Sequence, residues 1–311
     1  MRRFLRHLAL RGLVALLLGL AAAVVPGSLA AAAAGPPSAS AADAYWTPER
    51  MAAALPVPTG KAEAPPPAAA EAVPPSHPFD GLPQVGTFFW TDGQNTGRFC
   101  GGTVIRSPEY NLVVSAAHCL RSPNPKRHLS FVPQYHDGLK PHGVFPVEAI
   151  YIDQRYYDRG TDGGARWDYT VVRLAPREDG TEVQEAVGGF DFAIDSGYTH
   201  RDVRLIGYPG SSDAKYPKPL DCSSSTHRYR STDPKAPGDF LEIACAGYVG
   251  GTSGGPFLVR NRDLTGYLLI GVIGGYHTGG DTPDISYSSY FTDDLLDLYI
   301  DAVDGTPPAH S

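Results

Sequence analysis

From residue 81 onward the large apolar residues come in short runs rich in β-branched and aromatic side chains: VGTFFW, GGTVI, NLVVSAA, YTVVRL, DVRLIGYP, DFLEIACAGYV, PFLVR and YLLIGVIGG. Gly, Pro, Asp and Asn bound each run. Runs of this length with turn chemistry between them predict an antiparallel all-β sandwich or barrel. Helical spacing is confined to SSYFTDDLLDLYIDAVDG near the end, where Phe291, Leu295, Leu298 and Ala302 share one face. Asp293 and Asp294 fall in the first turn, where the helix dipole favours acid, and Gly305 lies just past the end. The pattern predicts a β domain closed by a C-terminal α-helix.

The residues before 81 read differently. Residues 35–80 are dominated by Ala, Pro and Ser, as in AEAPPPAAAEAVPPSHP. So little large apolar surface does not offset the entropy of ordering a chain, so this stretch is expected to be a linker or pro-segment. In residues 1–34, Arg2, Arg3, Arg6 and Arg11 precede an apolar stretch from Leu13 to Val25, and small residues follow. Basic, then apolar, then small is the order of an export signal, with cleavage at one of the alanines between 30 and 34. The alternative, a retained anchor, is disfavoured because the apolar part stops at Pro26, short of the roughly 20 residues that a span needs. The expected product is a secreted, extracellular monomer with no stable membrane association once the signal is gone, ending in a short tail over 304–311.

Composition and charge narrow the function. The chain is 42% hydrophobic, enough for one large core or two modest ones packed together. Its net charge is -7, and no Lys/Arg-rich run lies beyond the first dozen residues, which excludes the electrostatic footprint of a nucleic-acid binder. Four cysteines, Cys100, Cys119, Cys222 and Cys245, suggest disulfides in an exported chain, although three connectivities are open. The histidines include no HExxH, and the cysteines lack zinc-finger spacing, so no metal site is expected.

The candidate chemistry sits in three separated stretches. GGTSGGPF places Ser253 among glycines, which allow unusual backbone angles and close approach of a carbonyl to the N–H groups of Gly251 and Ser253. By itself such a stretch is equally a tight surface turn. NLVVSAAHCL delivers His118 directly after small residues and before a cysteine, and WDYTVVRL puts Asp168 at the head of an apolar run. A carboxylate there needs a donor, and an imidazole Nδ1–H is one. Asp153, Asp158 and Asp162 compete for that role, but only Asp168 is followed at once by a β run.

Together, Ala116-Ala117-His118-Cys119, Asp168-Tyr169-Thr170-Val171-Val172 and Gly251-Thr252-Ser253-Gly254-Gly255-Pro256 resemble the motifs of the chymotrypsin-like (trypsin-like) serine peptidases, particularly their secreted bacterial branch. The resemblance covers about residues 81–303. It implies an all-β fold of two antiparallel six-stranded β-barrels, about 81–185 and 186–303, with the site in the cleft between them. It also implies Ser253 as nucleophile, His118 as base, Asp168 as its orienting carboxylate, and an oxyanion hole from the N–H groups of Gly251 and Ser253. The substrate would be a protein or peptide, with no cofactor.

Departures from the family pattern limit what else carries over. Where the animal digestive members have the aspartate that pairs with a newly freed N-terminus, this chain has Thr252. Where trypsin itself has a pocket aspartate, it has Gly247, so a preference for basic residues is not supported. Ile273, Gly274 and Gly275 are expected to form a strand pairing with extended substrate, and His277 either meets an acidic substrate side chain or is an exposed loop histidine. Asp281 and Asp284 equally suit a basic substrate or plain turn chemistry. Two other functions remain open: a catalytically silent binding protein on the same fold, and an esterase using the same triad.

Overall fold

A computed structural model describes residues 38–59, 73–121, 126–210, 218–263 and 265–308. The expected signal over 1–34, part of the linker and the last residues of the tail lie outside the described residues.

Six strands close into an antiparallel barrel: β1 (Val85–Thr91), β2 (Gly97–Val104), β3 (Leu112–Ser115), β4 (Arg127–Pro133), β5 (Phe145–Ile152) and β6 (Thr170–Leu174). The order around the barrel is β2-β1-β4-β5-β6-β3, and β3 pairs back onto β2 through Thr103 with Val114 and Val104 with Val113. Every residue of β1 is buried. Phe88 points into a core with Val104, Val113, Phe131, Phe145 and Val172, while Phe89 on the other face joins a cluster reaching Tyr208, Leu258 and Leu269 of the C-terminal half. That is why VGTFFW reads as a continuous apolar run: both faces of the strand are covered.

The C-terminal half carries β7 (Val203–Gly207), β8 (Leu220–Ser224), β9 (Thr226–Arg230), β10 (Asp239–Ala244), β11 (Pro256–Arg260), β12 (Tyr267–Val272) and β13 (Ile285–Ser289). Strands β8-β7-β11-β12 form one sheet and β9-β10-β13 another. Only Ser225 separates β8 from β9, so the two behave as one strand bent from sheet to sheet, which makes six. At the opposite side Gly274 N–H donates to Tyr287 O and Val272 N–H to Ser288 Oγ, both at 2.9 Å. Val203, Leu205, Leu241, Ile243, Phe257 and Ile270 from both sheets fill one core. The predicted C-terminal helix runs over Asp293–Asp304, N-capped by Thr292 Oγ1 and ended by Gly305 in the left-handed conformation, with Leu295 and Ala302 buried.

Disulfides join Cys100 to Cys119 and Cys222 to Cys245, each closing a loop of moderate length. In the chain-entropy picture such a loop contributes roughly 3 kcal/mol.

The expectation that residues 35–80 bury too little to order is corrected for their first part. Helices α1 (Ala39–Tyr45) and α2 (Pro48–Ala52) pack on the N-terminal barrel, with Ala42, Trp46, Met51 and Ala54 buried. The physical reason is one large side chain: the Trp46 ring packs against Phe89, and its Nε1–H donates to His128 O at 2.8 Å. Tyr45 stacks on His128, and Lys140 pairs with Asp43. Average composition hides such an anchor. Trp46→Ala is expected to weaken docking of this arm by about 3–5 kcal/mol, the usual cost of truncating a buried tryptophan. Native-state hydrogen exchange reads this out as lost protection of the α1 and α2 amides; unchanged protection would show that the tryptophan does not anchor the arm.

Candidate active site

Ser253 stands in the turn between Gly250 and β11, almost fully buried. The turn is held from both halves of the molecule. Gly101 N–H of β2 donates to Ser253 O, Gly254 N–H donates to Ile273 O, and Ile273 N–H donates to Gly255 O, all at 2.8 Å. Gly254 must be glycine: its φ is +78°, and a Cβ there would lie 2.2 Å from Gly101 O. Gly251 has φ +100°, and among the described residues neither its N–H nor that of Ser253 is taken by another hydrogen-bond acceptor. Two unspent donors beside a hydroxyl are what a developing oxyanion needs.

Thr252 is buried, and its Oγ1–H donates to Val249 O at 2.9 Å within the same turn. The position that is an aspartate in the digestive members is here satisfied locally and carries no charge requiring a partner.

His118 lies in the short helix α3 (Ala117–Leu120), which follows β3 directly. Ala116 and Ala117 are fully buried, so the chain passes close to its neighbours, and the Cys119 disulfide ties the helix to β2. The imidazole is buried and its Nδ1 lies 2.8 Å from Asp168 Oδ2. Asp168, just before β6, is fully buried and accepts two further hydrogen bonds at 2.8 Å, from His118 N–H to Oδ1 and from Gly275 N–H to Oδ2. Three N–H donors hold the carboxylate, and with Nδ1–H spent on it, Nε2 is left as the basic ring nitrogen. Nε2 sits 3.8 Å from Cys119 Sγ. Joined to each other, Cys100 and Cys119 present no thiolate there.

The competing carboxylates lie elsewhere. Asp153 caps α4 (Gln154–Gly163) and pairs with Arg155, and Asp158 accepts from Gln154 Nε2. Asp162 is exposed in the last turn of that helix. The same helix supplies a residue that pattern reading missed: Tyr156 is fully buried, and burial first, then the charge of Asp168, hold its phenol well above the usual range. In sequence Tyr156 is one tyrosine among many, and nothing local marks it.

The expected specificity residues make contacts within the protein. Ile273, Gly274 and Gly275 give their N–H groups to Gly255 O, Tyr287 O and Asp168 Oδ2, and those donors brace the serine turn and the buried carboxylate. Gly247 has φ +88° and faces Ser76 and Leu220, because residues 74–78 run past it and Ala246 N–H donates to Pro74 O.

His277 is half-buried and pairs with two carboxylates of its own chain. Its Nδ1 is 2.8 Å from Asp281 Oδ1, its Nε2 is 3.2 Å from Asp233 Oδ2, and its ring stacks on Tyr276. Burial alone would depress its pKa, but the two carboxylates outweigh burial and raise it. A raised folded-state pKa means that this clamp contributes fully below the unfolded value of about 6.5 and is lost as pH rises through the folded value. The 276–281 loop is therefore expected to exchange its amide hydrogens more slowly, relative to intrinsic rates, at mildly acidic than at alkaline pH. Equal protection at both would sink the clamp.

The family model described as Trypsin matches residues 76–292. No curated protein matches the chain. Among solved structures, protease Anisep from Arthrobacter nicotinovorans aligns with TM-score 0.60 at 21% identity, covering 74% of this chain and 99% of that one. A thermostable serine protease, AL20, from an extremophilic microorganism aligns with TM-score 0.59 at 24% identity, over 71% and 97% of the two chains. A Glu endopeptidase aligns with TM-score 0.54 at 18% identity, over 74% and 96%.

Proposed function

The chain belongs to the trypsin family of serine peptidases, and from that premise we propose that it is a secreted endopeptidase working through Ser253, His118 and Asp168. The observation that supports the assignment is the buried Asp168–His118 pair, 2.8 Å apart, linked to the serine turn through residues 273–275, where Gly275 N–H donates to Asp168 and Ile273 O accepts from Gly254 N–H. Ser253 Oγ attacks the scissile carbonyl carbon and its proton passes to His118 Nε2. The C–O bond forms as the carbonyl π electrons move onto oxygen, which turns toward the N–H groups of Gly251 and Ser253. Collapse breaks the C–N bond, and Nε2 returns the proton to the departing amine. A water molecule then repeats the sequence on the acyl-enzyme. Asp168 keeps Nδ1–H directed at itself and stabilises the imidazolium without taking the proton.

A basic amino-terminal segment followed by an apolar one supports export, as do two disulfides, which persist in oxidising compartments. Among the described residues no helix is long and apolar enough to cross a membrane. Protein or peptide substrates follow from the family, and the enzyme is proposed to act as a monomer. The test is a fluorophosphonate probe on the purified protein, with the labelled residue located by mass spectrometry. Label on Ser253 together with peptide turnover is expected. Folded protein that takes no label would instead fit the silent binding protein, and turnover of esters without peptides the esterase.

A further inference from the structure

Beyond α2 the chain crosses the end of β2. Leu55 and Pro56 pair in parallel with Arg98 and Phe99, and Arg98 Nη1 donates to Pro56 O at 3.5 Å. Val57 packs against the cluster that contains Cys100, Ala116 and Cys119. Pro56 also covers Gly210, where a Cβ would lie 2.7 Å from its Cγ, and Gly210 N–H donates to Gly250 O at 2.7 Å. Thr59 Oγ1 then reaches Gly250, 3.5 Å from a Cβ built there. The stretch runs from the start of the Cys100 strand to the rim of the Gly250–Gly251 turn.

Which side of the site this is follows from the proton's route. His118 Nε2 must hand its proton to the departing amine, and Nε2 lies 3.8 Å from Cys119 Sγ, so the amine that takes the proton is close to the Cys100–Cys119 disulfide. Ile273–Gly275 brace the opposite, Gly254 side of the turn. Residues 55–59 therefore stand where the substrate residues beyond the scissile bond would run, along the part of the β2 edge that Leu55 and Pro56 cover. Pro56 and Pro58 have no N–H to donate, which keeps the pairing to two residues and makes the contact weak by itself. The docked arm holding Trp46 supplies the rest: it tethers the stretch at high effective concentration, so few contacts suffice for high occupancy.

Resting on the serine-peptidase reading above, we propose that residues 55–59 are a tethered occupant of the leaving-group side of the cleft, so that the intact chain acts poorly on substrates extending past the scissile bond. Displacing the strap opens that subsite without altering the nucleophile. The full chain is compared with two variants, Val57→Asp, which places a charge against the disulfide cluster, and Pro56→Gly, which lifts the cover from Gly210. Two fluorogenic substrates share one acyl portion: one ends in an aminocoumarin amide, the other continues for several residues to a quencher. If the strap is in place about nine-tenths of the time, kcat/KM for the extended substrate rises about tenfold on release. The aminocoumarin amide, whose leaving group ends at the first position past the scissile bond, gains distinctly less. Thermal melting identifies which variants are folded, and either folded variant decides the matter. If both substrates are unaffected, or both change in proportion, while a fluorophosphonate still labels Ser253, the strap is overturned and the nucleophile stands. If no chain, wild type included, takes label at Ser253, the nucleophile and the strap fall together.

Discussion

Ser253→Ala is expected to lower kcat by about 10⁶, and adding His118→Ala to that variant to lower it hardly further. The reason is that the proposed mechanism makes the two side chains act as one unit. The imidazole is useful as a base only if a hydroxyl is there to give up its proton, and the hydroxyl is a poor nucleophile without the base. His118 is held by its own backbone N–H on Asp168 and by the adjacent disulfide, neither of which involves Ser253, so the alanine variant should keep the rest of the site intact. Peptide turnover is measured for both single variants and the double. Two losses that multiply in the double variant would mean that Ser253 and His118 contribute independently, and would count against the shared mechanism.

The stretches proposed as catalytic were legible because they carry unusual local chemistry. A hydroxyl among glycines, a histidine after two alanines and before a cysteine, and an aspartate heading a β run each stand out in one chain. Gly254 shows why the pattern is rigid: strand β2 passes so close that no side chain fits, and that closeness also lets Gly101 brace the turn. What stayed hidden depends on contacts between distant residues. Tyr156 lies beside Asp168 only because α4 folds back under it, and the N–H of Gly275 meets the same carboxylate from a hundred residues away in the chain. The neighbourhood of His277 is likewise built by Asp233, from a different loop. The amino-terminal arm was missed for another reason: averaging over an Ala- and Pro-rich segment dilutes Trp46 and Met51, yet two large buried side chains decide whether so short an arm docks.

Asp168→Asn is expected to lower kcat by about 10⁴ while leaving the fold in place. The carboxylate now accepts three N–H groups, two on Oδ2 and one on Oδ1. An amide has a single acceptor oxygen and presents its NH₂ to the other position, so one orientation opposes the His118 backbone N–H and the other opposes both Gly275 N–H and the ring. Either way a buried donor goes unpaired, costing about 1–3 kcal/mol of stability. If the amide nitrogen takes the place of Oδ2, the ring can satisfy it only by turning Nδ1 into an acceptor, which moves the proton to Nε2 and removes the base from Ser253. If the oxygen stays there, the ring keeps its tautomer but loses the negative charge that stabilises the imidazolium, and Gly275 N–H must share one acceptor with it. Both routes converge on kcat, with KM little affected because no substrate contact changes. Fluorophosphonate labelling of Ser253 should slow in parallel, since it depends on the same base. A fall in kcat of less than about a hundredfold would show that Asp168 only positions the loop around His118 and Gly275 and does not serve the imidazolium.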